Sequence, residues 1–390
     1  MVQRNKNKQN EVIKVKPIFA EEIHENLDLQ DDALKAWLEM LWLRPACALQ
    51  KALEMKHFMR FFPFKGPAAD LGCGDGTHSA LICGARFNPD FDMYLSINKM
   101  RMVDDKVNDH RIHFKKADNE NEYFKGGDPY LFFDKNQYEG KINYTKEPQN
   151  KFSWGCDLAD ALVKKAELLK IYDRVSVNDL SKPLECPSNQ FSTIYSNVSY
   201  WMDDKKLLFN EQNRILKDDG ISVMTAQDPI IHSEIALTAI VKNQLNEMGY
   251  SKLPKWVEEV DRGRIAQTTG KLLSVDEWNK LFDSTGFEIL YHGQFMSRDA
   301  YWQYDLDLRE TFPSDVALSQ DLNSMGSEGA ELRKAWKNSR VNHYFSKWKQ
   351  YFHDYDNWQK NLPRAWNFFV IKKKGAKSWA DSIAAQHYKK

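Results

Sequence analysis

Residues 67–86 read PAADLGCGDGTHSALICGAR, and the fold is decided there. Residues 67–71 form a short apolar run of strand length, glycine alternates with other residues over 72–76, and the apolar positions of 78–86 can continue as a helix. Strand, tight turn and helix make the first unit of a doubly wound sheet, whose opening turn is where such sheets receive ligands. Alternate glycines admit positive φ and let a ligand lie against bare backbone, and the amides that start the next helix add N–H donors. A dinucleotide fingerprint needs glycine at 72, 74 and 77, but position 77 is Thr. A phosphate loop needs Lys followed by Ser or Thr after the turn, and this chain has none there.

The same alternation continues outward from this unit. Strand patterns fall at 152–156, 174–178, 191–196, 221–226, 287–295 and 367–372, with helical patterns at 158–169 and 205–216 between them. The prediction is an α/β fold, a doubly wound, seven-stranded, mostly parallel sheet with right-handed connections. Before it, apolar residues over 33–62 recur at three- and four-residue intervals interrupted by Pro45, which fits two lead-in helices. The domain reading is a mobile arm at 1–16, a helical lead-in at 17–62, and a sheet domain at 63–296 and 364–376. Residues 88–150 lack a period of either kind and read as a folded insertion, 297–363 as a helical, aromatic-rich insertion over the ligand mouth, and 377–390 as a solvated tail that follows Lys372–Lys374.

Composition narrows the function classes. The 390 residues are 42% hydrophobic, enough to bury a large core, and 55 basic residues balance 55 acidic ones, so no overall field draws the chain to nucleic acid. No run reaches the roughly 18 apolar residues of a membrane helix, so a cytoplasmic protein with no integral membrane association is expected. Five scattered cysteines without a C-x-x-C pair argue against disulfides and structural zinc. His110 and His113 share i, i+3 spacing without an obvious third ligand, and no metal is expected.

Asp70-Leu71-Gly72-Cys73-Gly74-Asp75-Gly76 resembles motif I of the class I S-adenosylmethionine-dependent methyltransferase family, an acidic-Leu-Gly-x-Gly-x-Gly turn. Further segments resemble that family in order: Gly155-Cys156-Asp157-Leu158 its second strand, Val177-Asn178-Asp179-Leu180 its third, residues 191–197 its fourth, residues 216–220 the turn before its fifth and 273–287 the helix into its sixth. The resemblance implies a Rossmann-like methyltransferase fold with S-adenosylmethionine as cofactor, held by Asp70, Gly72, Cys73, Gly74, Gly76, Asp157, Leu158, Asn178, Asp179, Leu180 and Asn197. Asp157 would take the ribose hydroxyls and Asp179 would lie near the adenine amino group. Asp157 stands 85 residues after Gly72 where about 20 is usual, an excess the insertion accounts for. A rival parse makes 93–97 the second strand and puts Asn98 on the ribose.

Methyl transfer needs in-line approach to the methyl carbon, and positioning supplies most of the barrier reduction. A hydroxyl acceptor must also lose a proton. His232 is the candidate base, with Asp228 beside it and Tyr200, near Trp201, facing the methyl group. Residues 196–200, Ser-Asn-Val-Ser-Tyr, lack the Pro-Pro-aromatic loop of DNA amino-methyltransferases and the Pro-Cys pair of cytosine-C5 enzymes. The expected acceptor is therefore a small molecule, a sugar or a glycolipid-type, lipid-linked intermediate of specialised metabolism, with homodimerisation left open. O-methylation leads, N-methylation is the near alternative, and a non-catalytic scaffold on the same fold is the other class.

Overall fold

The structure is a computed structural model and describes residues 27–62, 64–94, 144–250, 252, 270–306, 312–353 and 363–388. The seven expected strands all lie in one sheet: β1 (Ala68–Leu71), β4 (Trp154–Asp157), β5 (Val175–Val177), β6 (Phe191–Ser196), β7 (Leu216–Gln227), β8 (Phe287–Ser297) and β9 (Arg364–Lys373), in the order β5-β4-β1-β6-β7-β9-β8. β1 is parallel to β4 and β6, β6 to β7 and β4 to β5, whereas β9 runs antiparallel between β7 and β8. Every residue of β1 and β6 is buried, the signature of strands covered on both faces. Strand order reverses between β1 and β6, which opens a crevice at their carboxyl ends.

Pro45 separates the lead-in helices as its ring dictates, sitting at the first turn of α2 (Pro45–Phe58) after α1 (Leu27–Met40). α2 is buried almost all round, because it lies between β8 and the long helix Gly326–His353 of the aromatic segment. That segment supplies α8 (Arg298–Leu306), α9 (Phe312–Ser324) and α10 (Gly326–His353). The sheet helices are α3 (Thr77–Ile82), α4 (Asp160–Leu168), α5 (Lys205–Ile215), α6 (Leu237–Glu247) and α7 (Val275–Ser284), the last opened by a capping box between Ser274 and Glu277.

The rival parse fails on register, since the strand beside β1 is β4, with Asp70 opposite Gly155. Met93 and Tyr94 lie in a turn, and Asn98, His110 and His113 fall outside the described residues. At the root of the first insertion β2 (Arg86–Phe87) pairs antiparallel with β3 (Tyr144–Lys146). The expected solvated end is also corrected. Lys372 Nζ bonds Asp381 (2.9 Å) and pairs with Glu288 (3.4 Å), the Trp379 indole N–H donates to the Ser192 carbonyl (3.1 Å), and α11 (Asp381–Tyr388) buries Ala384. A charge run that reads as a solvated face is here the seam of a docked segment.

Candidate functional site

The turn after β1 is set by two bonds and three positive-φ glycines. The Gly72 and Cys73 amides both donate to the Cys156 carbonyl of β4 (2.8 and 2.9 Å), and Gly72, Gly74 and Gly76 take φ of +80°, +57° and +80°. They differ in what surrounds them. A Cβ on Gly72 would stand 2.2 Å from Val198, whereas one on Gly74 would meet nothing within 4 Å, leaving an open cradle beside bare backbone. Burial pushes the Cys73 thiol well above its usual pKa, so it is no nucleophile.

Asp157, at the tip of β4, meets this turn. Its carboxylate accepts from the Gly74 amide (2.9 Å) and from the Ala159 amide (3.0 Å), and two oxygens with about four lone-pair sites keep capacity for further donors. Desolvation raises its pKa, as it does for Asp75. Asp70 lies beneath the turn, where Ser79 and Tyr172 hydroxyls donate to one oxygen; burial lifts it to about 6 despite those bonds. Three carboxyl groups raised by burial around one glycine turn make a place that a positive ligand would stabilise.

At the neighbouring tips, Leu158 and Val177 present apolar side chains 37% and 47% exposed. Asn178 is buried and donates to Ser176 Oγ (3.0 Å), Leu180 is buried, and Asp179 accepts from the Ser181 hydroxyl and amide and pairs with Lys182 (3.1 Å). Those contacts, the Ser181 hydroxyl first, hold the Asp179 carboxyl below its usual range.

Across Val198 from the turn lies a cavity of about 270 Å³. Its wall joins the lead-in helices, the exits of β6 and β7, the start of β9 and α8, with Trp37, Tyr200, Trp201, Tyr304 and Trp366 as its aromatic surface. Tyr200 and Asn197 both line this cavity. Asp228 and His232 do not line this cavity. Asp228 accepts from the Ile230 amide and from Asn367 Nδ2 (3.0 Å each), which caps the turn after β7. His232 ends that turn, half-buried.

One further titratable group, His78, stands on this wall. Asn197 Nδ2 donates to His78 Nδ1 (3.2 Å), which assigns the imidazole hydrogen to Nε2, facing the Tyr195 hydroxyl (3.1 Å). That hydroxyl donates to Glu54 Oε1 (2.8 Å), and Lys51 closes on Glu54 Oε2 (2.8 Å). Burial, then Lys51, holds the His78 pKa well below its ordinary value, so the imidazole is neutral at pH 7. The one sequence signal for this network is the place of His78, two residues after Gly76. Glu54 carries none, since it enters from a helix 24 residues upstream of His78.

Among the described residues no group of three His, Cys, Asp or Glu side chains could hold a metal, and no helix is long and apolar enough to cross a membrane. No protein family matches this chain, and no curated protein does. Among solved structures it is similar to the cyclase SpnF (13% identity over 83% of this chain and 82% of that one, TM-score 0.37). It is also similar to an S-adenosylmethionine-dependent methyltransferase from Mesorhizobium loti (14%, 81% and 96%, TM-score 0.34). A third likeness is to phosphoethanolamine N-methyltransferase 2 of Haemonchus contortus with S-adenosyl-L-methionine (16%, 88% and 57%, TM-score 0.37).

Proposed function

We propose that this chain is a methyltransferase that binds S-adenosylmethionine at the turn after β1 and methylates a hydroxyl of a small molecule, a sugar or a lipid-linked intermediate in the adjoining aromatic cavity. The observation that carries this reading is the meeting of Asp157 with the open Gly74 cradle at the point where strand order reverses. A ribose offers two hydroxyl donors, and the Asp157 carboxylate has lone pairs left for them. Leu158 and Val177 offer an apolar surface to a purine, and the buried carboxyls of Asp70, Asp75 and Asp157 offset a sulfonium charge. When bound, the donor supplies an electrophilic methyl group whose thioether leaving group needs no protonation.

The chain's own contribution is positioning and exclusion of water. Orientation of two reactants is worth up to roughly 7–11 kcal/mol, so no base is obligatory. For a hydroxyl acceptor, His78 is the imidazole on the cavity wall; its Nδ1 takes the acceptor's proton only once the Asn197 amide gives up its bond to that lone pair, with Tyr195 and Glu54 behind Nε2. Asp228 and His232 lie off the cavity wall, and His232→Asn is expected to leave turnover unchanged; a loss beyond about tenfold would return the base role to it.

Titration calorimetry with S-adenosylmethionine and its demethylated product, followed by incubation of labelled donor with metabolite extracts, tests the reading. Binding of both donor forms, abolished in Gly74→Val, is expected. No binding by the wild-type chain, or normal affinity in Gly74→Val, overturns it.

A further inference from the structure

Gln227 and Trp366, both on the cavity wall, each carry a buried polar atom with no hydrogen-bond partner among the described residues. Gln227, the last residue of β7, is 7% exposed and its amide oxygen is buried and unpaired. Trp366, its register partner on β9, is 5% exposed and its indole N–H is likewise buried and unpaired. Buried donors and acceptors in native proteins are nearly always satisfied, so an unpaired acceptor beside an unpaired donor on one cavity wall calls for a molecule that completes both. Neighbouring strands lie about 5 Å apart, a span that one small polar group can bridge.

We infer that Gln227 and Trp366 form a two-point anchor for the acceptor, a neutral, flat molecule bearing a group that both donates and accepts a hydrogen bond, such as an amide or a ring hydroxyl. Its donor meets Gln227 Oε1, and its acceptor meets Trp366 Nε1–H. Both anchors are neutral, and a full charge buried against neutral partners keeps most of its desolvation penalty. An ammonium group is further disfavoured by Arg44 on the same wall, and Lys51 there is paired with Glu54, which leaves it a weak partner for an anion. Flatness follows from the indole and phenol faces of Trp37, Tyr200, Trp201 and Tyr304. The volume of about 270 Å³ exceeds the roughly 150 Å³ that suffices for benzene, so a substituted or fused ring fits. The inference rests on the methyl-transfer reading in one respect, that the molecule held here is the acceptor.

The test uses the full chain with the demethylated donor present and five probes, benzamide, phenol, toluene, benzoate and benzylammonium, followed by ligand-observed NMR. Benzamide and phenol are expected to bind about three- to tenfold more tightly than toluene, the net worth of one or two hydrogen bonds. Trp366→Phe, which keeps a ring against Phe295, and Gln227→Leu should each weaken benzamide by about three- to tenfold and leave toluene unchanged. Gln227→Met serves as a second variant if the leucine side chain disturbs the sheet. Benzamide no tighter than toluene, a preference for benzoate or benzylammonium, variants that bind as wild type, or no binding by any probe overturns the anchor. Failure of the demethylated donor to bind while benzamide keeps its pattern overturns the methyl-transfer reading and leaves the anchor standing.

Discussion

Gly72 and Gly74 stand two residues apart in one turn, both at positive φ, yet a methyl group added to each meets a different fate. On Gly72 it would overlap Val198 at 2.2 Å, so Gly72→Ala is expected to lose roughly 1–3 kcal/mol of stability in denaturant unfolding. On Gly74 it enters open space, so Gly74→Ala should cost about 1 kcal/mol and reduce donor affinity more than stability. Equal stability losses in the two variants would show that the cradle beside Gly74 is filled by the chain itself. Asp70 adds a pH signature. Its carboxyl is protonated in the fold below about pH 6, and a cation binds best where it is ionised. The affinity for the sulfonium donor is therefore expected to fall several-fold more than that for the neutral thioether product between pH 7.5 and 5, as calorimetry at the two pH values would read.

At the scale of elements, the β8–β9 pair shows how packing overrides ordinary side-chain chemistry. His292 of β8 stacks on Phe369 of β9 (4.7 Å between ring centres) and bonds Asn367 Oδ1 (2.9 Å), and burial lowers its pKa to about 4. The folded value lies below the unfolded value of about 6.5, so the unfolded chain gains the proton first as pH falls. This group's share of stability is thus intact above pH 6.5 and lost between 6.5 and 4, to the extent of about 3 kcal/mol. His292→Gln, which cannot titrate, should close the gap to wild type in melting temperature as pH drops from 7 to 4.5. A gap that stays constant would mean that His292 is not held neutral. The lead-in helix α2 is a second case: it carries Glu54, which only the tertiary contact with Tyr195 and His78 places behind the cavity wall.

On the scale of the whole molecule, the site is assembled from parts far apart in the chain. Its wall draws on α1 and α2, the start of α3, the β6 and β7 exits, α8 and the start of β9. Residues 377–388 lie elsewhere, against β6 and β7 through Trp379 and against β9 through Asp381. Deleting 377–390 is expected to remove on the order of 2 kcal/mol of stability while leaving donor affinity within about twofold of wild type. A comparable loss of donor affinity would tie that segment to the site.

Most of the sheet was legible before any coordinates, because strands buried on both faces must be apolar and their turns must carry glycine; the seven runs from 67–71 to 367–372 all became strands. The glycine turn was legible for the same local reason, and so was the position of Asp157 at a strand end. The antiparallel insertion of β9 between β7 and β8, the docking of Lys372 on Asp381, the His78–Tyr195–Glu54 chain and the Gln227–Trp366 pair were not. Periodicity and composition report what a segment prefers along its own length. Which buried side chains face each other across a cavity depends on register between distant strands and on helices packed over them, and those only the tertiary structure decides.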